Sequence, residues 1–331
     1  MTRTAPKVSV IIPAYAVASY IGAAFGSVFA QTFTDYEVIV INDGSPDTEA
    51  FERAIAPYRE RLNYIKQENR GASAARNAGL NAARGEFVAF LDADDVWLTN
   101  YLQEQIDFMH EHQADLICGD AIVFSDSRTD DQSYMDVLMN GADYFGEVTF
   151  EGLISGNQSL ITSAVVARRQ KVIEAGSFDE NLRNAQDFDL WIRMALRGAR
   201  MGYQRKVLAR YRYREGSLSG DAVNRVNREL RVYRKILAQY DLTPTQRTDV
   251  ERAIRRLDRE LNLVLGKEHL NRSEFDEALE CFRKARRVQS SWKLRVTCTL
   301  LSVAPNLLTT LNSSLNAWRR KRAGGILRNT P

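Results

Sequence analysis

A chain of 331 residues with 44% hydrophobic and 26% charged residues has the composition of an ordinary globular protein, which excludes bulk disorder. Its length accommodates one α/β domain of roughly 200 to 250 residues together with an appendage. The net charge of +3 hides an asymmetry, because residues 291–331 contain seven basic residues and no acidic residue. That basic end predicts an anionic surface as its partner.

Short β-branched runs alternate with helical stretches over the first 125 residues. This alternation predicts a Rossmann-like α/β fold, with a mostly parallel sheet and helices on both faces. The predicted strands lie at 8–12, 37–41, 62–66, 86–91 and 114–124. The predicted helices lie at 18–30, 48–60, 72–83 and 99–113.

The pattern is less regular after residue 125. Residues 125–156 are rich in Asp, Ser and Gly, which predicts a loop or hairpin insertion. The next predicted elements are an apolar run at 159–167, helices at 168–175 and 187–197, and a strand at 206–214.

From residue 221 onward the pattern is helical, which predicts an all-helical C-terminal extension. We therefore predict an α/β domain over 1–220, the extension over 221–290 and a tail over 291–331. Within the extension, residues 257–287 resemble one degenerate tetratricopeptide-type helix pair. A single pair cannot bury its own core, so it must pack on its neighbours.

The tail combines an apolar stripe with a basic cluster. The stripe consists of Leu307, Leu308, Leu311, Leu315 and Trp318, and it runs into Arg319-Arg320-Lys321-Arg322. Such a basic amphipathic helix over 304–328 suits the interface of an anionic membrane, or it packs on the domain with a solvated basic end. Nucleic acid is not an expected partner, because no recognised binding fold accompanies the charge.

The cysteines and the N-terminus bear on the cellular compartment. Cys118, Cys281 and Cys298 are odd in number and far apart, which predicts reduced thiols rather than a disulfide framework or a zinc site. No stretch reaches about 18 uninterrupted apolar residues, and residues 1–7 contain no apolar signal region. We expect a cytoplasmic protein, peripheral on the inner face of the membrane if the tail binds there.

Polar and aromatic residues follow four of the predicted strands. Ligands bind at the carboxyl ends of the strands in an open α/β sheet, so these residues are expected to converge. The four groups are Pro13-Ala14-Tyr15, Asn42-Asp43-Gly44-Ser45, residues 67–71, and Asp92-Ala93-Asp94-Asp95. Three carboxylates within four residues repel one another, which favours a site for Mg²⁺ or Mn²⁺ over a plain N-capping cluster.

Other nucleotide motifs are absent from the sequence. There is no GxGxxG after the first strand and no GxxxxGK[ST]. The sequence therefore lacks the phosphate-binding loop that a dinucleotide dehydrogenase or a P-loop protein needs. The three histidines, His110, His112 and His269, lie outside the four groups that are expected to converge at the strand ends. A carboxylate must therefore act as general base. Residues 186–191 offer candidates at a helix start, although Asp187 could also be a simple N-cap.

Six segments, in this order, resemble the motifs of glycosyltransferase family 2. They are residues 8–15 (VSVIIPAY), 42–45 (NDGS), 75–79 (ARNAG), 90–95 (FLDADD), 176–180 (GSFDE) and 186–191 (QDFDLW). The resemblance spans roughly residues 7 to 219 and implies a GT-A fold. It also implies an inverting enzyme that uses a nucleotide-sugar donor and a divalent metal.

The resemblance also assigns roles to individual residues. It implies that Pro13 and Tyr15 frame the nucleobase and that Asp43 accepts its ring N–H. Arg76 is expected to face the donor, and Asp92 and Asp94 form the DxD pair near the ribose and diphosphate. Asp94 and Asp95 are expected closest to the metal. Asp187 falls at the position of the base that deprotonates the acceptor hydroxyl.

Two positions depart from the family pattern. Gln186 stands where the family often has Glu, which alters one hydrogen bond or charge on the acceptor side. Arg214 stands where the family often has His. Arginine cannot ligate a metal but pairs well with a diphosphate, so we assign Arg214 to the leaving group.

The sequence therefore predicts sugar transfer from a nucleoside diphosphate, with uridine favoured, to a cell-envelope glycan or lipid-linked acceptor. One alternative is a nucleotidyltransferase, which would need a Gly-rich basic loop after the first strand that residues 13–17 do not provide. Another is a non-catalytic GT-A scaffold that acts through its helical C-terminus. The intact carboxylates argue against that scaffold, whereas Gln186 and Arg214 leave it open.

Overall fold

A computed structural model describes residues 5–125, 128–138, 146–213 and 222–303. The strands are β1 Val8–Ala14, β2 Tyr36–Asp43, β3 Leu62–Gln67, β4 Phe87–Phe90, β5 Val96–Trp97, β6 Leu116–Ser125, β7 Arg128–Ser133, β8 Gly146–Glu147, β9 Val165–Arg168 and β10 Met201–Arg212. The helices are α1 Ile21–Phe29, α2 Thr48–Ile55, α3 Ala72–Ala82, α4 Tyr101–Glu111, α5 Tyr134–Leu138, α6 Phe150–Ser155, α7 Arg169–Glu174, α8 Gln186–Leu196, α9 Ala222–Gln239, α10 Pro244–Asn271, α11 Phe275–Val288 and α12 Trp292–Val303. Short 3₁₀ segments occupy Ala56–Arg61 and Thr162–Ala164.

The chain divides into two compact units near residue 217. The first contains the sheet, and the second contains α9 to α12. This confirms the predicted α/β fold with a helical C-terminal region. The further division into an extension over 221–290 and a tail over 291–331 stays a prediction, and residues 304–331 lie outside the described residues.

All strands join one sheet, but its two halves differ in direction. The order is β3-β2-β1-β4-β9-β6-β10-β5, with β7 beside β6 and β8 beside β10. The first four strands are parallel, as predicted. Between β4 and β6, however, β9 is antiparallel to both neighbours, and β5 is antiparallel to β10. The second half is therefore mixed, because the chain after β6 re-enters the sheet between β4 and β6 as β9, which runs in the opposite direction.

The centre of the sheet is covered on both faces. Successive side chains of a strand point to opposite faces, yet Val8, Val10, Ile11 and Ile12 in β1 are all fully buried. On one face α3 lies very close to β1 and β2. A Cβ added to Gly79 would be 2.5 Å from Ile11 Cγ2 and 2.9 Å from Ile41 Cδ1. The missing side chain therefore sets how closely α3 approaches the sheet.

The second unit is a stack of helices with its own core. Thr243 and Gln246 form a capping box that begins α10, and Pro244 occupies the first turn. Gly266 in α10 lies against Phe282 in α11, where an added Cβ would be 2.8 Å from the ring. The helices predicted here are present, whereas their tetratricopeptide character stays a prediction. All three cysteines are free thiols, as predicted.

We predict that Gly79→Ala lowers the free energy of unfolding by about 1–3 kcal/mol, because its methyl group overpacks the contact between α3 and the sheet. The matched control is Gly26→Ala in α1, where an added Cβ meets nothing within 4 Å. That change should raise stability by about 0.5–1 kcal/mol, since alanine favours the helix. Urea denaturation of both variants tests the contrast, and equal effects would contradict it.

Candidate active site

The loops after β2 and β3 meet at Asp43. Its Oδ1 accepts hydrogen bonds from Gln67 Nε2 at 2.7 Å and from the Arg70 N–H at 3.0 Å. Its Oδ2 accepts from the Gly71 N–H at 2.8 Å. Asp43 thus fixes the start of α3, and a carboxylate with about four acceptor positions retains room for one further donor. Its predicted contact with a nucleobase stays a prediction.

The loop after β1 is tied to the turn after β2. The Ala16 N–H donates to Ser45 Oγ at 2.7 Å, and the Ala18 N–H donates to Asp47 Oδ2 at 2.9 Å. Partial burial raises the pKa of Asp47, but hydrogen bonds from Ser45 and the Ala18 N–H outweigh it and hold that pKa below the usual value. These bonds present Tyr15, which is 51% exposed, at the carboxyl edge of the sheet.

Arg76 and Asp92 form an ion pair across the end of β4. Arg76 lies in α3 and is 5% exposed, and its Nη2 donates to Asp92 Oδ1 at 2.6 Å. The guanidinium also lies 5.5 Å from the centre of the Phe178 ring. Its Nε and Nη1 have no hydrogen-bond partner among the described residues. The structure therefore makes Arg76 a support for Asp92, and its predicted contact with the donor stays a prediction.

Two of the sequence motifs hold each other in place. Asn77 Nδ2 donates to the Phe178 carbonyl at 2.9 Å, and the Phe178 N–H donates back to Asn77 Oδ1 at 3.0 Å. Arg70 pairs with Glu180 at 2.7 Å. The segments 75–79 and 176–180 are therefore in contact, and both support the loop that Asp43 organises.

Asp95 is a carboxylate buried beside two others. It is 1% exposed, and burial together with the charges of Asp92 and Asp94 raises its pKa well above the ordinary value. The Ser163 hydroxyl and the Arg212 N–H lower that pKa in part. The Arg212 N–H donates to Oδ1 at 2.7 Å, and the Arg212 Nε donates to the Asp94 carbonyl at 3.0 Å. The last residue of β10 thereby clamps the carboxylate cluster.

Asp187 stands in the first turn of α8. Its Oδ2 accepts from Thr162 Oγ1 at 2.7 Å, and its Oδ1 accepts from the Phe188 N–H at 2.8 Å. Ala185 before the helix adopts a left-handed φ of 57° and makes no side-chain cap. Both oxygens of Asp187 are therefore hydrogen-bonded at the amino end of a helix.

The 3₁₀ turn Thr162–Ala164 joins these groups, and sequence reasoning missed it. Thr162 holds Asp187, while Ser163 Oγ accepts the Asp92 N–H at 3.0 Å. The turn lies at the ligand edge because β9 is antiparallel to β4, so the residues before β9 reach that edge. Two consecutive hydroxyl residues within a predicted apolar run were the available signal.

Other predicted positions have different outcomes. Pro13 pairs in register with Ile41, at the carboxyl end of β1. Arg214 lies outside the described residues, so its assignment to the leaving group stays a prediction. The three histidines contact residues other than those of the candidate site: His110 packs on Phe87, His112 on Phe108, and His269 pairs with Glu274.

The carboxylates after β4 are the residues that could hold a divalent ion. Within the part of the chain that the structure describes, no three His, Cys, Asp or Glu side chains are grouped as ligands of one ion. Asp95 Oδ2 is nevertheless buried and has no hydrogen-bond partner among those residues. Mg²⁺ is commonly held by one or two carboxylates together with substrate phosphates, and Asp94 with Asp95 suits that arrangement.

Comparison with known proteins identifies the family. The family model described as Glycosyl transferase family 2 matches residues 9–173. An uncharacterized glycosyltransferase of Rickettsia typhi is 30% identical over 229 residues, which cover 67% of this chain and 68% of that protein. This chain belongs to glycosyltransferase family 2. The expectations of that family and of a transferase enzyme are therefore confirmed.

A second relative is the glycosyltransferase GlyA of Streptococcus pneumoniae. It is 34% identical over 224 residues, which cover 64% of this chain and 31% of GlyA. The alignment thus spans about a third of the length of that relative.

Solved structures share the fold at low sequence identity. S. aureus TarS 1-349 in complex with UDP superposes with a TM-score of 0.61 and 21% identity, over 94% of this chain and 91% of the TarS 1-349 chain. The mannosyltransferase PcManGT from Pyrobaculum calidifontis, in complex with GDP-Man and Mn²⁺, superposes with a TM-score of 0.60 and 18% identity. The superposition covers 96% of this chain and 87% of the PcManGT chain. These similarities confirm the predicted GT-A fold.

Among the described residues, no helix combines the length and apolar character needed to cross a bilayer.

Proposed function

We propose that this family 2 enzyme transfers a sugar, with inversion, from a uridine diphosphate sugar to a hydroxyl of a cell-envelope glycan or lipid-linked acceptor. The observation that carries the proposal is that adjacent residues of one turn contact Asp187 and the Asp92–Asp95 segment. A general base and a diphosphate site must lie this close for an acceptor to attack a bound donor. The complexes of TarS with UDP and UDP-GlcNAc support the choice of donor.

On the acceptor side, Asp187 takes the proton of the attacking hydroxyl. Its two oxygens are oriented by Thr162 and by the Phe188 N–H, so a defined lone pair remains for the acceptor. Attack from the side opposite the departing diphosphate inverts the anomeric configuration. Gln186, which is buried beside this base, contributes a neutral amide where a carboxylate would compete for the proton.

On the donor side, Tyr15 and Pro13 frame the nucleobase and Asp43 accepts its ring N–H. Asp92 faces the ribose with Arg76 behind it, and Asp94 and Asp95 would hold Mn²⁺ or Mg²⁺. Such an ion would supply Lewis-acid neutralisation of the diphosphate charge. The Mn²⁺ complex of PcManGT supports this use of a metal. Arg214 is proposed to pair with the leaving diphosphate.

We predict that Asp95→Asn abolishes Mn²⁺-dependent binding of UDP without lowering the melting temperature of the metal-free protein. The neutral amide removes a metal ligand, yet it suits a buried position where a charge is disfavoured. Asp94→Asn should also lose Mn²⁺-dependent binding. Calorimetry with UDP and Mn²⁺ measures the affinities, and Asp107→Asn on the exposed face of α4 is the control. Unchanged affinity in both site variants would remove the metal from this position.

We predict that Asp187→Asn keeps UDP and Mn²⁺ affinity but lowers kcat by at least about two orders of magnitude, because the general base is lost. Steady-state kinetics with a responsive donor and acceptor, beside calorimetry with UDP, would separate the two effects. A collapse of UDP binding would instead place Asp187 in the donor pocket.

We further propose that the basic C-terminal region binds an anionic membrane surface. α12 is apolar on two opposite sides: Leu294, Cys298 and Leu301 pack into the core of the second unit. On the other side Trp292, Val296 and Val303 are 65%, 46% and 78% exposed. Lys293 and Arg295 flank this exposed side, and residues 291–331 carry no acidic residue. A membrane surface would also present a lipid-linked acceptor.

We predict that the full chain co-sediments with phosphatidylserine vesicles and that deleting residues 304–331 abolishes binding but not donor turnover. Each basic residue near an anionic leaflet contributes about 1 kcal/mol, so Arg319-Arg320-Lys321-Arg322 and the apolar stripe suffice for reversible attachment. Trp292→Ser should weaken binding, and binding should weaken as salt rises. Neutral vesicles are the control. Equal sedimentation of the full and the truncated chain would contradict the membrane role. Loss of donor turnover in the truncated chain would indicate that the tail is part of the packed fold.

A further inference from the structure

The turn Thr162–Ala164 sits between the two halves of the candidate site. We propose that Thr162 and Ser163 are positioning residues with separate tasks, Thr162 for the base Asp187 and Ser163 for the donor-binding carboxylate segment. This inference rests on the proposed function and extends it to residues that no sequence motif marks.

The side-chain hydroxyl of Thr162 contacts the proposed base, Asp187. Thr162 is 4% exposed, and its hydroxyl donates to Asp187 Oδ2 at 2.7 Å. The other oxygen of Asp187 is held by the adjacent Phe188 N–H at 2.8 Å. The Thr162 hydroxyl is thus the contact from outside α8 that fixes the rotation of the carboxylate. Without it the carboxylate can turn away from the acceptor hydroxyl, which costs rate rather than donor affinity.

The side-chain hydroxyl of Ser163 contacts the segment proposed to bind the donor. The hydroxyl accepts the Asp92 N–H at 3.0 Å. This contact acts on the segment that carries the proposed DxD pair. Loss of the hydroxyl leaves the Asp92 N–H without its acceptor and loosens the segment. We expect weaker donor binding with little change in turnover at saturation.

The backbone of the turn is anchored from behind, which leaves both hydroxyls available for these tasks. Trp97 Nε1 donates to the Ser163 carbonyl at 2.6 Å, and Gln105 Nε2 donates to the Ala164 carbonyl at 2.8 Å. Trp97 stacks on Tyr101 with ring centres 4.1 Å apart. The carbonyls therefore hold the turn on a rigid buried platform, so a change of either hydroxyl leaves the backbone in place.

The test compares Thr162→Val, Thr162→Ser, Ser163→Ala and Asp187→Asn in the full chain. Thr162→Val should lower kcat about 10- to 100-fold with KM for the donor nearly unchanged, and Thr162→Ser should restore most of kcat because it keeps the hydroxyl. Ser163→Ala should raise KM and weaken UDP binding in calorimetry about 5- to 20-fold with kcat nearly unchanged. Thr248→Val on α10 is the control for the methyl-for-hydroxyl change.

A double variant keeps the inference separate from the proposed function. If Thr162 acts through the base, Thr162→Val adds nothing in the Asp187→Asn background. Wild-type kcat in Thr162→Val beside an inactive Asp187→Asn would overturn the inference and leave the proposed function standing. Wild-type kcat in Asp187→Asn would overturn the proposed function itself. Thr162→Ala with a native melting curve replaces Thr162→Val if the valine variant does not fold, and the same kinetic split is required of it.

Discussion

The site depends on one electrostatic constraint: three carboxylates follow β4 within four residues, and one of them is buried. Burial and two like charges oppose ionisation of Asp95. The surrounding elements each contribute a compensating group to this segment. Arg76 from α3 pairs with Asp92, the Arg212 N–H from β10 reaches Asp95, and Ser163 holds the Asp92 amide. Three elements that are distant in sequence are thus needed to hold a segment of four residues.

The mixed direction of the second half of the sheet follows a functional logic. A parallel strand beside β4 would bring its carboxyl end to the ligand edge, whereas the antiparallel β9 brings its amino end there. The 3₁₀ turn that precedes β9 can therefore touch the carboxylates after β4 and the first turn of α8 together. The same arrangement separates two kinds of side chain. Buried Trp97 and Gln105 donate hydrogen bonds to the carbonyls of the turn. The hydroxyls of the turn contact Asp187 and the Asp92 N–H.

The parallel half of the fold is predictable from the sequence, because β-branched runs and helical spacing are local signals. The predicted bounds of β1 to β4 and α3 agree with the structure within a few residues, and Asp43, Asp92 and Asp95 lie at strand ends as expected. The contacts of Thr162, Ser163 and Arg212 were not predictable from the sequence for a physical reason. They depend on strand direction and on side-chain contacts across 25, 71 and 117 residues, respectively, and no local pattern encodes either. The two-residue strand β5 is likewise too short to leave a periodic signal.

The position of β10 in the sheet has a consequence for the order in which the protein is built. β10 is the last strand among the described residues, yet it lies between β6 and β5 and ends at Arg212, whose N–H donates to Asp95. During synthesis on the ribosome, the parallel strands β1 to β4 and their helices can assemble while Asp95 still lacks its N–H donor. The sheet is complete only when residues 201–212 arrive, because β10 is the strand that pairs with both β5 and β6. A chain truncated before Met201 would carry Asp92, Asp94 and Asp95 and still lack the N–H group of Arg212 that contacts Asp95.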